Sequence, residues 1–377
     1  MDIRYFDNAA TTRVKKEVLQ EMLPYFSELY GNPSSIYSIG RQSKRAIEIA
    51  RERVSKLINC KPNEIYFTSG GSESDNTAIK GIAYKLRKNG KHIITSKIEH
   101  PAVLNTCKAL ENEGFNITYL DVDEDGKIDI SQLENSISNQ TILITIMFAN
   151  NEIGTIQDIE RIAKIAKFNN IVFHTDAVQA VGNVPIDVDK MGIDLLSLSA
   201  HKIYGPKGVG ALYVKNGINF EKFIHGGHQE KNKRSGTENV AGIVGLGKAC
   251  ELSKKYLREH IEKLKYLRDY YIQKIEENIS DIKINGHRDD RLPGNSNISF
   301  INVDGEVLLL KLDALGICAS SGSACNSSSA EPSHVLTSIG LTEDIAKGAL
   351  RVTFGDDNTK EDVDFLVNSI IHIIKQM

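Results

Sequence analysis

Seven short apolar runs, rich in β-branched residues, recur between about residue 60 and residue 215 and constrain the fold more than any other feature. They begin at Glu64, His92, Ile117, Ile142, Ile171, Leu195 and Gly210. The first five are followed by helix-compatible stretches such as 74–88 and 158–169, the alternation typical of a mainly parallel sheet covered by helices on both faces. About ten residues separate the last two runs, too few for a helical crossover. The sequence therefore predicts an α/β fold with a seven-stranded sheet and one antiparallel strand.

A second unit is predicted after the sheet. The pattern becomes helical from about Glu238, through a charged stretch that reaches Ile275. Later segments mix strand-like runs, at 296–303 and 351–355, with helical runs, at 305–315 and 360–377, and with a Ser/Gly-rich loop at 320–332. We predict a large domain over residues 14–258 and a smaller α+β domain built from residues 1–13 and 259–377.

The charge balance, the apolar runs and the cysteines argue against nucleic-acid-binding, membrane-spanning and disulfide-rich classes of protein. The 377 residues include 46 Lys and Arg against 49 Asp and Glu, a balance that does not predict nucleic-acid binding. The longest apolar run, Thr141 to Ala149, is shorter than the roughly 20 residues of a membrane helix, and the N-terminal stretch does not resemble a signal peptide. The five cysteines form no CxxC pair, which argues against a disulfide framework. We expect a cytoplasmic protein that binds neither membranes nor nucleic acid directly.

The turn after the first strand, TSGGSESDN, has two interpretations. The glycines before and at Gly71, followed by Ser72, would expose backbone N–H groups at a helix N-terminus, which is typical of phosphate binding. Ser72 and Asp75 also fit a capping box that needs no ligand. The spacing is not GxGxxG, so a dinucleotide site has little support.

Two further polar residues follow neighbouring strands. Asp176 ends the fifth strand, at the edge where open α/β sheets bind ligands, and a carboxylate there can hold a ring N–H⁺. Lys202 follows the sixth strand among small residues, and a lysine so placed could form a Schiff base with pyridoxal phosphate. Taken singly, Asp176 could be a loop or capping residue and Lys202 a solvated surface lysine.

Three motif-like segments indicate no metal or nucleotide site. Residues 121–132 nearly match an EF-hand loop, but Gln132 replaces the bidentate glutamate. Residues 242–249 nearly match an NTPase phosphate loop, but Ala249 replaces the Ser or Thr, and a helix with packing glycines fits better. His225 and His228 lack a third ligand nearby.

Cys325 differs from the other cysteines in its setting. Small polar residues surround it in SGSACNSSS, which favours an exposed, reactive thiol on a movable loop. Cys60, Cys107, Cys250 and Cys318 lie in apolar or helical contexts and are predicted to be buried small hydrophobic residues.

Ten motifs together identify a resemblance that spans nearly the whole chain. In order, they are YFDNAATT, GNPSS, TSGGSESDN, EHPAV, ANNEIG, HTDAVQ, SAHKIYGPKG, RSGTEN, SSGSACNSS and RVTFG. The chain closely resembles the cysteine desulfurases, a pyridoxal-phosphate family within the class-V aminotransferases. The resemblance implies a fold-type-I enzyme with a seven-stranded, mainly parallel sheet, and a homodimer as the active form.

The resemblance also implies a role for each candidate residue. Lys202 would bind pyridoxal phosphate, Asp176 would pair with its pyridine nitrogen, and His100 would stack on the ring, where it could move protons. Further cofactor contacts would come from Gln179, Gly71, Ser72, Ser199, His201, Asn151 and, from the partner subunit, Thr237. Asn151 and Arg351 would bind the substrate carboxylate, a role for which the planar fork of arginine is suited.

The implied reaction transfers the sulfur of L-cysteine to Cys325 as a persulfide and leaves L-alanine. The persulfide would pass to an acceptor protein, such as an iron-sulfur scaffold or a tRNA thiolase, and the long loop around Cys325 resembles the iron-sulfur branch. A selenocysteine lyase, an aminotransferase or an idle scaffold of the same fold are the alternatives. Tyr37, GGSES, His228, Lys231 and Asn232 depart from residues frequent in that family, near the expected cofactor entrance and dimer interface.

Overall fold

The structure is a computed structural model that describes residues 3–321 and 332–377. Twelve strands lie in these ranges: β1 (Arg4–Tyr5), β2 (Ile65–Thr68), β3 (His92–Ser96), β4 (Asn116–Leu120), β5 (Thr141–Thr145), β6 (Val172–Asp176), β7 (Leu195–Ser199), β8 (Gly210–Val214), β9 (Ile282–Ile284), β10 (Asn295–Phe300), β11 (Ile317–Cys318) and β12 (Ala349–Thr353). The helices of the same ranges are α1 (Lys16–Met22), α2 (Pro24–Ser27), α3 (Ser38–Ile58), α4 (Gly71–Leu86), α5 (Pro101–Asn112), α6 (Ile130–Ser136), α7 (Ile159–Phe168), α8 (Val188–Met191), α9 (Gln229–Asn232), α10 (Val240–Asn278), α11 (Gly305–Asp313), α12 (His334–Ser338), α13 (Glu343–Lys347) and α14 (Lys360–Ile374).

The strands β2 to β8 form one sheet, in the order β2-β8-β7-β6-β5-β3-β4. The pairs from β4 across to β7 are parallel, whereas β8 is antiparallel to both of its neighbours, β7 and β2. The seven predicted strands and the predicted antiparallel pair are confirmed. The short connection between β7 and β8 begins with a 3₁₀ turn, Ala200–Lys202, so the candidate lysine lies at the carboxyl end of β7.

Helices cover both faces of this sheet. Successive side chains of a strand point to opposite faces, and here both faces carry apolar side chains that the helices bury. Ile94 and Leu196 pack on one face, in a hydrophobic cluster that includes Leu246 of α10. Their neighbours Ile93 and Leu195 pack on the other face, in a cluster with residues of α4 and α5. Burial on both faces explains why these strands have continuous apolar runs rather than alternating ones.

The C-terminal part forms a second sheet, with the antiparallel order β12-β10-β9. Its hydrophobic cluster contains Leu264 of α10, Leu366 of α14 and, from the N-terminal segment, Phe6. The helix α10 continues across residue 258 as one element of 39 residues. The predicted domain boundaries near residues 14 and 258 therefore stay a prediction.

The glycines of segment 242–249 pack α10 against its neighbours. A Cβ atom on Gly245 would lie 2.6 Å from the sulfur of Met22, and one on Gly247 would lie 2.6 Å from the Cα of Ala50. The predicted helix with packing glycines is confirmed, and close packing accounts for the near-match to a phosphate loop.

The EF-hand-like segment is a turn between β4 and α6. The Oδ1 atom of Asp123 accepts the backbone N–H groups of Asp125, at 3.0 Å, and Lys127, at 2.9 Å. In residues 3–321 and 332–377, no group of three or more His, Cys, Asp or Glu side chains could hold a metal ion. Within the same ranges, every helix is too short or too polar to span a bilayer.

A buried ion pair fixes α9, a short element that is a strained turn rather than a regular helix, because its backbone is non-helical at Glu230 and Lys231. Glu230, Lys231 and Asn232 have left-handed backbone angles, with φ of 43°, 58° and 62°, a conformation that costs roughly 1 kcal/mol or more for each non-glycine residue. Arg51 donates to the Glu230 carboxylate at 2.7 Å and 2.9 Å, and the Phe67 N–H donates to it at 2.8 Å. Both charged side chains are only 4% exposed. This pair holds the turn that contains Lys231 and Asn232, two of the departures from the family pattern.

We expect Arg51→Ala to lower the free energy of unfolding by roughly 3–5 kcal/mol, because it leaves the Glu230 carboxylate buried without its cation. Arg258→Ala is the control, since its ion pair with Glu262 is exposed, at 89% and 64%, and should contribute less than about 1 kcal/mol. Urea denaturation followed by circular dichroism measures both losses. Equal losses in the two variants would contradict the role of the buried pair.

Candidate active site

A cavity of about 390 Å³ lies at the carboxyl ends of the central parallel strands. Adjacent parallel strands end at the same edge of a sheet, which places the residues that follow them around one space. Ten residues predicted from the sequence line this cavity: Gly71, Ser72, His100, Asn151, Asp176, Gln179, Ser199, His201, Lys202 and Arg351. The cavity is also lined by Ala9, Ala10, Asp75, Pro101, Met147, Ala149, Glu152, Val178 and His334.

The Lys202 side chain points toward the N-terminal segment. Its Nζ atom donates hydrogen bonds to the carbonyl oxygens of Ala9 and, at 2.8 Å, Ala10. The Nε2 atom of Gln179 donates to the same Ala9 oxygen at 3.0 Å. Lys202 is therefore a partly buried amine with fixed acceptors, and the interpretation as a solvated surface lysine is wrong.

Asp176 is the last residue of β6 and is almost fully buried, at 6% exposure. Its Oδ1 atom accepts the Val178 N–H at 2.9 Å. Burial raises the pKa of the carboxyl, while the nearby His100 and Lys202 oppose that rise by stabilising the ionised form. The charge of Lys202 and the Val178 N–H favour the ionised carboxylate, which makes Asp176 a suitable partner for a ring N–H⁺.

His100 caps the N-terminus of α5. Its Nδ1 atom accepts the N–H of Ala102 at 3.1 Å, so the neutral ring carries its proton on Nε2. Burial lowers the pKa of His100, Asp176 opposes this, and Lys202 and His334 lower it further. The ring is accordingly held neutral, in one tautomer, at the wall of the cavity.

Gly71 and Ser72 begin α4, with Gly70 as the N-cap residue at φ 154°. A Cβ atom on Gly71 would lie 2.7 Å from a methyl carbon of Val178, so this approach requires glycine. The capping-box interpretation is wrong, because Ser72 is the second residue of the helix and Asp75 is buried. The carboxylate that accepts a backbone N–H here belongs to Glu73, which bonds Ser69 at 2.8 Å.

Ser199 and His201 approach the cavity from the turn after β7. Ser199 is buried, at 4% exposure. The Nδ1 atom of His201 bonds the hydroxyl of Thr11 at 3.2 Å. Burial lowers the pKa of His201 to about 4, helped by the charges of Lys202 and Lys207. His201 is therefore a neutral hydrogen-bonding group near neutral pH.

Arg351, on β12, reaches the cavity with a side chain only 2% exposed. Its Nη1 atom donates to the backbone carbonyl of Asn151 at 3.1 Å, and its Nη2 atom donates to Asp7 Oδ1 at 2.8 Å. Asn151 and Arg351 are thus brought together as predicted. Sequence reasoning missed Asp7, although it belongs to the YFDNAATT motif.

Sequence reasoning also missed Glu99, the residue before His100. Its Oε1 atom accepts the Ser96 hydroxyl at 2.6 Å and the Met147 N–H at 2.9 Å. Its backbone carbonyl accepts a hydrogen bond from His334 Nε2 at 3.0 Å. Glu99 therefore anchors the start of α5 to the loop after β5, and its place beside His100 in EHPAV was the available signal.

Two predicted residues are not placed in the cavity. Thr237 is exposed in the loop between α9 and α10 and is not among the residues that line the cavity. Cys325 falls in residues 322–331, outside the described residues.

Comparison with known proteins agrees with the ten motifs. The chain matches the Aminotransferase class-V family over residues 4–366. It is 58% identical over 374 residues to the cysteine desulfurase IscS of Clostridium botulinum (strain Hall), covering 99% of this chain and 94% of the relative. It is 54% identical over 373 residues to the cysteine desulfurase IscS of Dictyoglomus turgidum, covering 99% and 95%.

Solved structures show the same similarity. A NifS-like protein superposes with a TM-score of 0.94 at 39% identity and covers 100% of both chains. The structure of SspA in complex with cysteine superposes with a TM-score of 0.82 at 42% identity and covers 93% of this chain and 98% of that one. The resemblance predicted from the sequence is confirmed.

We expect Glu99→Gln to change how the stability depends on pH. Burial raises the pKa of Glu99 from 4.5 to about 8, so between these values the folded chain holds a proton that the unfolded chain has lost. The free energy of unfolding should then fall, as pH rises, by roughly 1 kcal/mol per pH unit from this group. The variant keeps an oxygen acceptor for Ser96 and Met147 but does not titrate.

Urea denaturation at about pH 5 and about pH 8 measures the difference. Relative to the wild type, Glu99→Gln should gain stability at the higher pH. Glu160→Gln is the control, because that side chain is 56% exposed. Parallel pH curves for wild type and Glu99→Gln would show that Glu99 is ionised in the folded protein.

Proposed function

The chain belongs to the class-V aminotransferase family, and we propose from this that it is a pyridoxal-phosphate-dependent cysteine desulfurase. Its relatives at 54% and 58% identity are named cysteine desulfurases. The proposed reaction removes the sulfur of L-cysteine and leaves L-alanine. The observation that carries the proposal is the convergence of Lys202, Asp176 and His100 on one cavity.

The donor groups of the cavity fit pyridoxal phosphate. Lys202 supplies an amine for its aldehyde, and Asp176 a buried carboxylate for its pyridine nitrogen. Gly71 and Ser72, at the N-terminus of the 16-residue helix α4, supply backbone N–H groups for its phosphate. We assign further contacts with the cofactor to four residues of the same chain, Gln179, Ser199, His201 and Asn151. One more contact is assigned to Thr237 of the partner subunit. When bound, this cofactor stores the electron pair that remains after the substrate loses its α-proton.

Lys202 would act as the base in this reaction. Its Nζ atom would take the proton from the α-carbon of the substrate. The carbonyl oxygens of Ala9 and Ala10, which accept hydrogen bonds from Nζ, would then stabilise the resulting ammonium group. The proton is thereby kept within the cavity.

His100 and Arg351 would orient the reactants. The neutral ring of His100 would stack on the cofactor, and its Nε2 proton would serve later proton transfer, because Nδ1 is engaged by Ala102. The Arg351 guanidinium would bind the substrate carboxylate through parallel N–H groups, beside Asn151. Both assignments rest on residues that line the same cavity.

Cys325 would be the nucleophile. Its thiolate would attack the sulfur of the substrate, forming an S–S bond as the substrate's carbon–sulfur bond breaks. The electron pair of the broken carbon–sulfur bond stays on the substrate, at the carbon that carried the sulfur, and protonation of the substrate then gives alanine. The small polar residues around Cys325 in the sequence favour a loop that can next deliver the persulfide to an acceptor.

The proposed enzyme is a cytoplasmic homodimer that acts on L-cysteine. The similarity to a structure of SspA with cysteine supports this substrate. The exposed position of Thr237 suits a residue that completes the site of the other subunit. We propose an iron-sulfur scaffold or a tRNA thiolase as the class of sulfur acceptor.

In the wild type, borohydride reduction should attach the yellow cofactor permanently to the protein. We expect Lys202→Ala to lose this chromophore and to form no alanine, because no amine is left to hold the cofactor or take the α-proton. Lys207→Ala is the control, an exposed lysine five residues later. Absorption spectra before and after reduction provide the measurement. A variant that still binds cofactor covalently would refute the assignment of Lys202.

We expect Cys325→Ser to keep the wild-type cofactor spectrum while losing alanine and sulfide release from L-cysteine, because only the sulfur acceptor is removed. Cys318→Ser should retain the activity, since that thiol is on β11. Alanine and sulfide are assayed in the presence of a reducing thiol. Full desulfuration by Cys325→Ser would contradict the persulfide step, and activity only on selenocysteine would favour a lyase.

A further inference from the structure

The carboxylate of Asp7 is an ion-pair partner of Arg351, the arginine assigned above to the substrate carboxylate. The Arg351 Nη2 atom lies 2.8 Å from Asp7 Oδ1, and the two side chains are 2% and 15% exposed. On its other branch, Nη1 donates to the Asn151 carbonyl at 3.1 Å. The guanidinium charge is thus balanced by the protein itself before any substrate arrives.

Asp7 is fixed in this position by its backbone. Its carbonyl oxygen accepts the N–H groups of Ala10, at 3.0 Å, and Thr11, at 3.4 Å. The next residue, Asn8, bonds the Thr353 carbonyl on β12 through Nδ2 at 2.8 Å. Asp7 is therefore attached to the same strand as Arg351, and its carboxylate is held beside the guanidinium without help from a ligand.

A substrate carboxylate that binds Arg351 must approach a guanidinium that already holds one carboxylate. Two carboxylates on one cation repel each other, and this repulsion is poorly screened in a partly buried site. The attraction between Arg351 and the substrate is reduced accordingly. Asp7 also precedes Ala9 and Ala10, whose carbonyl oxygens bond Lys202, so one segment contacts both the cation for the carboxylate and the catalytic amine.

We propose that Asp7 is a specificity-determining residue that competes with the substrate carboxylate for Arg351 and so sets the KM for cysteine. The proposal rests on the proposed function. In the resting site, Asp7 already holds Arg351 in place. The binding free energy that a ligand carboxylate obtains from Arg351 is therefore reduced by its repulsion from the Asp7 carboxylate. Amines without a carboxylate do not bind Arg351, so their affinity should not depend on Asp7.

The test is Asp7→Asn in the cofactor-loaded enzyme. The amide oxygen can still accept from Nη2, and a guanidinium group keeps its charge without a counter-ion, so the geometry is kept and only the competing charge is removed. We expect the KM for L-cysteine and the inhibition constant of propionate to fall by roughly fivefold, with kcat within about twofold of wild type. The KM for cysteamine, which has no carboxylate, should not change.

Two further variants separate charge from packing. Asp7→Glu keeps the charge and should keep the wild-type constant for propionate. Asp362→Asn removes a second Asp–Arg pair of the N-terminal segment, Arg4 with Asp362 at 3.2 Å, outside the cavity, and should leave the KM for cysteine unchanged. Asp7→Ser serves the same test as Asp7→Asn if the asparagine variant does not fold.

A KM for cysteine that rises or stays the same in the charge-removing variants, while their cofactor spectrum matches wild type, would overturn the proposal. A rise would make Asp7 only a positioning residue for Arg351. Failure of the proposed function has a different signature, because wild type would then release no alanine from cysteine at all. The propionate constant, read from the cofactor spectrum, still tests Asp7 in that case.

Discussion

The segment from Asp7 to Thr12 joins the two sheets, and the geometry of the cavity depends on its hydrogen bonds. On one side, the Thr353 N–H donates to the Phe6 carbonyl at 2.7 Å, and the Ala9 N–H donates to the Thr353 hydroxyl at 2.9 Å. On the other side, the N–H and hydroxyl of Thr12 donate to the His201 carbonyl, each at 2.9 Å. Thr353 ends β12, which carries Arg351, and His201 precedes Lys202. The separation of Arg351 and Lys202, the two cations that would hold substrate and cofactor, is therefore set by a segment of six residues that includes a hydrogen-bonded turn.

The large sheet could be predicted because its strands are buried on both faces. A strand such as β5 is apolar at most positions, and the turns between strands interrupt these runs clearly. The start of α4 was less well predicted, at residue 74 rather than at Gly71. Its first turn shows no apolar periodicity, because it faces the cavity and is fixed by Glu73, which bonds Ser69 at 2.8 Å and Arg234 at 2.9 Å. A helix end that is stabilised by a residue 161 positions away has no local sequence signal.

The same limit explains which residues of the site were missed. Lys202 and Asp176 were found because each follows a strand, and strand ends meet at one edge. Asp7 and Glu99 act through partners 344 and 48 residues away. Sequence shows that these side chains are acidic, but only the folded chain decides which group each one faces. Motif resemblance marked the segments that contain them without assigning them a role.

The distribution of charge in the cavity follows from where its cations lie. Asp75, Glu99 and Asp176 are three buried carboxyl groups, and burial raises the pKa of each. The charge on Asp176 raises the pKa of both other groups further. Only for Asp176 among the three is the rise in pKa opposed by His100 and Lys202, so these two neighbours favour the ionised form of Asp176. Asp75 and Asp176 line the cavity, whereas Glu99 bonds the Ser96 hydroxyl and the Met147 N–H behind it, so the cationic neighbours direct negative charge near the predicted ring nitrogen to Asp176.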